Sequence, residues 1–357
     1  MRKTALRVGI VLTAAAVGSC AEPESVSTPV GSTEKQAEPR SLASDFGIAL
    51  EPWFGDYDGM IERRMVRILV PYSRTFFFLD GATERGVVAT AGRELEREIN
   101  RQQGPSPRLV QVMFIPVRSS ELIPMLLAGK GDIAAGGLTI TAGRRDRVDF
   151  TEPTFRNTSE VVVTGPGAPA VDSVEDLSGE EVYVQASSAY FETLARLNQD
   201  FASRGLAPIA IQAADEVLAD DEILELVHTG MIPITVASSY QAEFWAQFFP
   251  GITVHTDIVV AAGRDVGWAV RKDSPRLLEI LDTFIPPRRH RTEFGNIVFR
   301  RYLQSQRWLE NATASADQQR FDRTMPLFKR FGEQYDLDPY LLAALGCLES
   351  RLDQWVG

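Results

Sequence analysis

The order of elements along this 357-residue chain constrains its fold more than any other feature: short apolar strands alternate with amphipathic helical stretches, twice, and the chain then doubles back. Val66-Arg67-Ile68-Leu69-Val70 reads as a strand, residues 87–100 as a charged helix, Leu109 to Val117 as a strand and Ser119 to Leu127 as a helix. Gly129-Lys130-Gly131-Asp132 then turns the chain into Ile133-Ala134-Ala135. Alternation at this spacing predicts βαβ units and a parallel sheet. A second series follows, with strands at 181–185, 208–212 and 232–236 and helices at 188–203, 220–228 and 239–248. Residues 258–271 read as strands returning to the first lobe, and Ser274 and Pro275 suit the N-cap and first position of a helix that runs to Ile285. The expected class is therefore α/β with two lobes, lobe 1 at about 60–163 and 258–285 and lobe 2 at about 165–256. A chain that leaves one lobe, builds another and returns crosses twice. Two crossings make a hinge, and a hinge makes a cleft that can close on a ligand.

The two ends of the chain read differently. Arg2, Lys3 and Arg7 precede a short apolar run, Val8 to Gly18, which is too short to span a bilayer. Val17-Gly18-Ser19-Cys20 resembles a lipobox, which implies a signal peptide over 1–19, acylation of Cys20 and export to the periplasm with an anchor in a membrane, the outer one by expectation. The only other cysteine is Cys347, so no disulfide framework is expected. Residues 20–50 are rich in Pro, Ser, Glu and Thr and cannot bury a core, so they read as a tether. The net charge of −11 argues against nucleic acid as a partner, because phosphate binding needs a basic surface.

Gly136-Gly137-Leu138-Thr139-Ile140-Thr141-Ala142-Gly143-Arg144, followed by Val148-Asp149-Phe150-Thr151-Glu152-Pro153, resembles the signature of family 3 solute-binding proteins, receptors for polar amino acids. Leu126 to Asp132 upstream, and Asp176-Leu177-Ser178-Gly179 with Val182-Tyr183-Val184 downstream, extend the resemblance over about 62–285. It implies a two-lobed periplasmic binding protein type II fold. The residues themselves suit a ligand that carries a carboxylate. Arg144 can pair with it in a bidentate manner, Thr139 offers a hydroxyl, and Gly137 lets a ligand approach the backbone. Ser187 and Ser188, where a strand meets a helix start, are expected to present free N–H groups to an anion. The bland alternative is that Arg144 is one surface arginine among three, with Arg145 and Arg147. One stretch departs from the family. Where an Asp is expected to hold the ligand's amine, the chain reads Val236-Ala237-Ser238-Ser239-Tyr240, with Ser238 as the candidate contact. An ammonium closed into a cleft without a counter-charge is costly, so the expected ligand is a small anionic or muropeptide-like molecule rather than a free α-amino acid, or else the cleft is degenerate. No cofactor and no metal site is expected.

Residues 286–320 read as a helical connector, and 321–357 resemble the start of a soluble lytic transglycosylase domain, with Leu341-Leu342-Ala343-Ala344-Leu345-Gly346-Cys347-Leu348 leading into Glu349-Ser350. The combination is similar to that of membrane-bound lytic transglycosylase F-like proteins. In that family the glutamate is the catalytic acid/base that cleaves the bond between N-acetylmuramic acid and N-acetylglucosamine to a 1,6-anhydro product, so the resemblance assigns this role to Glu349 and makes peptidoglycan a partner. The sequence ends seven residues after Ser350, and the family's Gly-rich loop and later helices do not follow. The expectation is therefore a truncated chain, inactive alone, whose binding domain regulates or senses the wall. Two alternatives stay open: a substrate-binding lipoprotein of an amino acid-type importer, and a degenerate enzyme that keeps the helix as an interface.

Overall fold

The apolar run at 66–70 explains the first layer of the molecule. The computed structural model describes residues 51–80, 83–105, 107–303 and 323–331. Cys20 and Glu349 lie outside the described residues. Helix α1 (Tyr57–Glu62) leads into β1 (Met65–Pro71), the hairpin strands β2 (Phe78–Asp80) and β3 (Thr83–Arg85), helix α2 (Val87–Gln103), β4 (Gln111–Val117), α3 (Leu122–Leu127), β5 (Ile133–Ala134), the short α4 (Ala142–Arg145) and β6 (Asp149–Phe150). Strand β1 is buried on both faces. Val66, Ile68 and Val70 pack with Leu95 and Ile99 of α2, while Leu69 packs with Leu122 and Leu126 of α3. A strand covered on both sides has no reason to alternate in polarity, which is why it reads as a continuous apolar run.

The polar exception in β1 is Arg67, which is fully buried. Its guanidinium sits 3.0 Å from Asp132 and donates to the carbonyl oxygens of Glu51 (2.9 Å) and Gly129 (2.8 Å). Asp132, the end of the Gly129–Asp132 turn, also accepts from Arg63 and from the Arg67 amide. A buried charge tolerates its position only when paired and hydrogen-bonded in this way.

The second half continues with β7 (Phe155–Thr164), β8 (Glu181–Gln185), α5 (Ala189–Ser203), β9 (Ala210–Ala214), α6 (Asp220–His228), β10 (Ile234–Ser238), α7 (Ser239–Trp245) and β11 (Thr253–Val266), then β12 (Ala269–Val270), α8 (Pro275–Phe284) and α9 (Glu293–Leu303). Residues 323–331 are also helical. The strands form two five-stranded sheets, ordered β4-β1-β5-β12-β6 and β11-β7-β10-β8-β9. Each sheet has a parallel part, β4-β1-β5 and β10-β8-β9, as the alternation predicts. The strands beside the crossings run antiparallel to it: β12 against β5 and β6, and β7 against β10 and β11.

The crossings fall at 151–154 and 267–268, not near 164 and 257 as the sequence suggests. Strands β7 and β11 are 10 and 14 residues long and belong to the second sheet throughout. Of the stretch 258–271, only Ala269 and Val270 are strand residues of the first sheet. The two crossings lie side by side, tied by Thr151 N–H to the Trp268 carbonyl (2.9 Å) and Thr154 N–H to the Val266 carbonyl (2.8 Å). Helix α8 begins at Pro275 with Ser274 as its N-cap residue, as expected, but the Ser274 side chain makes no cap bond. Asp56 accepts instead from the Arg276 and Leu277 amides, both at 2.8 Å, which satisfies two of the N–H groups that every helix start leaves open.

Candidate functional site: the cleft between the lobes

The glycine pair of the motif lies at the base of the cleft. Gly136 and Gly137 have φ of +141° and +73°, which only glycine adopts readily. They bring the backbone against Pro71 and Phe76 and turn the following residues, Leu138 and Thr139, into the cleft wall. Thr139 is buried there and bridges to Val266 at the second crossing. Helix α4 then positions Arg144, with Thr141 as its N-cap accepting from the Arg144 amide at 3.4 Å.

Of the three arginines of this segment, Arg145 and Arg147 are exposed while Arg144 is turned inward. One Arg144 nitrogen donates to the Thr139 carbonyl in the first lobe at 2.9 Å, and another donates to the Ser187 carbonyl in the second at 3.1 Å. Burial holds its pKa below the ordinary arginine value, opposed by nearby acidic groups, Glu192 foremost. Among the residues that line the cleft with it are Phe76, Gly137, Ser187, Ser188, Tyr190 and Asp220, and the centre of a water-sized sphere has about 50 Å³ to move in there.

Two sequence expectations need correction here. Ser187 and Ser188 do line the cleft, but their amides are not free. The Ser187 N–H and hydroxyl donate to Glu216 at 3.0 and 2.6 Å, and the Ser188 N–H donates to the Gln185 carbonyl at 3.0 Å. Ser188 instead acts as the N-cap of α5, its hydroxyl accepting from the Phe191 amide at 3.2 Å. Ser238 does not face the cleft but lies behind Tyr190: its amide donates to the Tyr190 hydroxyl at 3.1 Å, and the two hydroxyls are 3.0 Å apart.

Sequence reasoning sought a carboxylate after β10 and overlooked one at the start of α6. Asp220 lines the same space, with the Tyr190 hydroxyl donating to it at 3.2 Å. Burial, reinforced by neighbouring Asp221, pushes its pKa up to about 6. The pair Asp220-Asp221 opens the run Asp220-Asp221-Glu222, which reads as the acidic first turn that favours any helix N-terminus, so no local signal distinguished Asp220. Burial also raises the pKa of Tyr190 far above its ordinary value, which keeps its hydroxyl a donor. Deeper in the lobe, Glu160 on β7 is 1% exposed and its pKa is raised by burial, with Arg264 of β11 at 3.4 Å. The cleft thus offers a cation from one lobe, a carboxylate from the other and an aromatic ring, Phe76, in the same lining.

The pattern of the bacterial extracellular solute-binding proteins, family 3, matches residues 83–298, more than half of the chain. The chain belongs to that family. Among solved structures, the family member has the fold of a mutant of ArgBP from T. maritima (22% identity, 70% of this chain and 99% of that one, TM-score 0.54) and of a binding component of an ABC transporter from Wolinella succinogenes complexed with lysine (23% identity, 70% and 99%, TM-score 0.54). In sequence it is similar to the membrane-bound lytic murein transglycosylase F of Methylobacillus flagellatus, with 25% identity over 73% of this chain and 54% of that protein. It is also similar to the membrane-bound lytic murein transglycosylase F 1 of Alkalilimnicola ehrlichii, with 26% identity over 82% and 57%. The chain spans about half the length of the curated relatives it matches.

Proposed function

We propose that this chain is the solute-binding part of a cell-envelope protein that acts on peptidoglycan, and that its cleft takes a small ligand through the ligand's carboxylate. The observation that carries the ligand reading is Arg144, which is turned into the cleft with its fork spanning Thr139 and Ser187. Both of its partners are carbonyl oxygens, which a carboxylate can displace with a gain in charge pairing. A muropeptide stem or a single amino acid presents such a group. Asp220 removes the objection to a ligand that also carries an ammonium, because it offers the counter-charge in the same space.

The peptidoglycan reading is supported by the names of the relatives and by Glu349-Ser350, which resembles the acid/base segment of lytic transglycosylases. In this reading the binding domain senses wall fragments and Glu349 belongs to the lytic unit, with Cys20 carrying the anchor in the periplasm, on the outer membrane. The deciding experiment is a calorimetric screen of the full chain against amino acids and isolated muropeptides. Binding lost in Arg144→Ala is expected. Failure of every carboxylate-bearing compound to bind would overturn the ligand reading.

A further inference from the structure

A tight turn after β1 closes on itself through Ser73 and Phe77, whose backbones exchange hydrogen bonds at 2.8 and 3.1 Å. The Ser73 hydroxyl accepts from the Thr75 and Phe76 amides at 3.2 and 3.0 Å, which fixes the turn's tip. Arg74 stands on that tip, in the first lobe. Every partner of its side chain among the described residues lies in the second. Its Nε donates to Asp221 at 2.9 Å and its Nη2 to Glu225 at 2.7 Å, both on α6. Its guanidinium carbon lies 4.8 Å from the centre of the Trp245 ring and 5.8 Å from that of Phe249. Beside it the Trp245 indole N–H donates to the Thr75 hydroxyl at 3.2 Å, again from one lobe to the other.

We propose that Arg74 is an interlobe latch that holds the cleft closed without ligand and positions the start of α6, and with it Asp220, in the cleft wall. A planar fork shared by two carboxylates and seated on an indole uses all that distinguishes arginine from lysine. The Asp221 side chain is 2% exposed in this closed arrangement. Stripped of Arg74, it would be a buried charge without its partner, and opening the lobes is the simplest way to return it to water. The latch therefore shifts the balance between open and closed forms by as much as its contacts differ between them.

The test uses the full chain with no ligand, so its outcome is independent of what the cleft binds. Small-angle scattering measures the separation of the lobes, and 5-fluorotryptophan incorporation gives a ¹⁹F signal for Trp245, assigned by Trp245→Phe. The wild type is expected to scatter as the closed form. Arg74→Gln should raise the radius of gyration and move the Trp245 resonance, with far-ultraviolet circular dichroism unchanged. Arg74→Lys, which keeps the charge but not the fork, should fall between the two. If Arg74→Gln does not fold, Asp221→Asn reads the same latch from the other lobe and should open it too. An open wild type, or variants that fold and stay as closed as the wild type, would overturn the latch while leaving the Arg144 reading of the cleft untouched.

Discussion

The Arg144 guanidinium donates across the cleft to the carbonyl oxygen of Ser187 at 3.1 Å, so the residue proposed to recognise the ligand in one lobe rests on the helix start of the other. A ligand carboxylate can compete with this bond and with the one to the Thr139 carbonyl at 2.9 Å, or take the remaining N–H donors of the fork. Arg144→Ala should therefore weaken binding of any carboxylate ligand found in the screen by about 2 to 5 kcal/mol, the range for truncating one partner of a buried charge pair. Calorimetry reads it directly. A loss below tenfold would mean that Arg144 closes the cleft without recognising the ligand.

Asp220 gives a pH signature. Its pKa in the folded protein is about 6, above the ordinary aspartate value, so the folded state holds this proton more tightly than the unfolded chain does. Its contribution to stability is thus fully present below about pH 4 and lost as pH rises through 6. Asp220→Asn should remove that dependence and be more stable than the wild type at pH 7 by roughly 1 to 2 kcal/mol. That range takes about 1.4 kcal/mol for each tenfold change in proton affinity and discounts it for partial exposure. Denaturant unfolding of both proteins between pH 4 and 7 checks it, and a difference that does not change with pH would refute it.

At Gly137 the backbone has φ of +73°, and an added Cβ would sit 2.8 Å from the Phe76 ring. Left-handed backbone at a non-glycine residue costs roughly 1 to 2 kcal/mol before any clash. Gly137→Ala should lower stability by at least that amount and disturb the aromatic wall of the cleft. A thermal unfolding curve that overlays the wild type's would contradict this.

Anchoring is tested in the cell. Cys20→Ala should abolish incorporation of a labelled fatty acid and release the protein from the membrane fraction. Labelling that survives the substitution would show that the anchor lies elsewhere.

The fold was legible because its main signal is local. Strand β8 occupies 181–185 and α6 occupies 220–228, as their patterns predict, since an apolar face repeats at the period of its own element. The crossings were misplaced because Val161, Val162 and Val163 read as a buried strand in either lobe, and only pairing with β10 and β11 assigns them. In the candidate site, Arg144, Thr139 and Gly137 come from one continuous segment and were visible together. Asp220, Tyr190 and Arg74 come from three separate places in the chain and acquire meaning only through contacts 30 to 151 residues apart in sequence, from Tyr190 with Asp220 to Arg74 with Glu225. The capping of α8 by Asp56, 220 residues upstream of Arg276, was invisible for the same reason.

Arg67 sets a limit on how the protein can be shortened. Its guanidinium reaches back to the Glu51 carbonyl, and the Trp53 amide donates to the Gly129 carbonyl at 2.9 Å, so residues 51–53 close over the charge from outside the sheet. Trimming the chain past them would leave a cation in the interior facing water where a carbonyl had been. A minimal recombinant version of the binding domain should therefore start upstream of Glu51, and a library of start sites should show soluble yield dropping at that point.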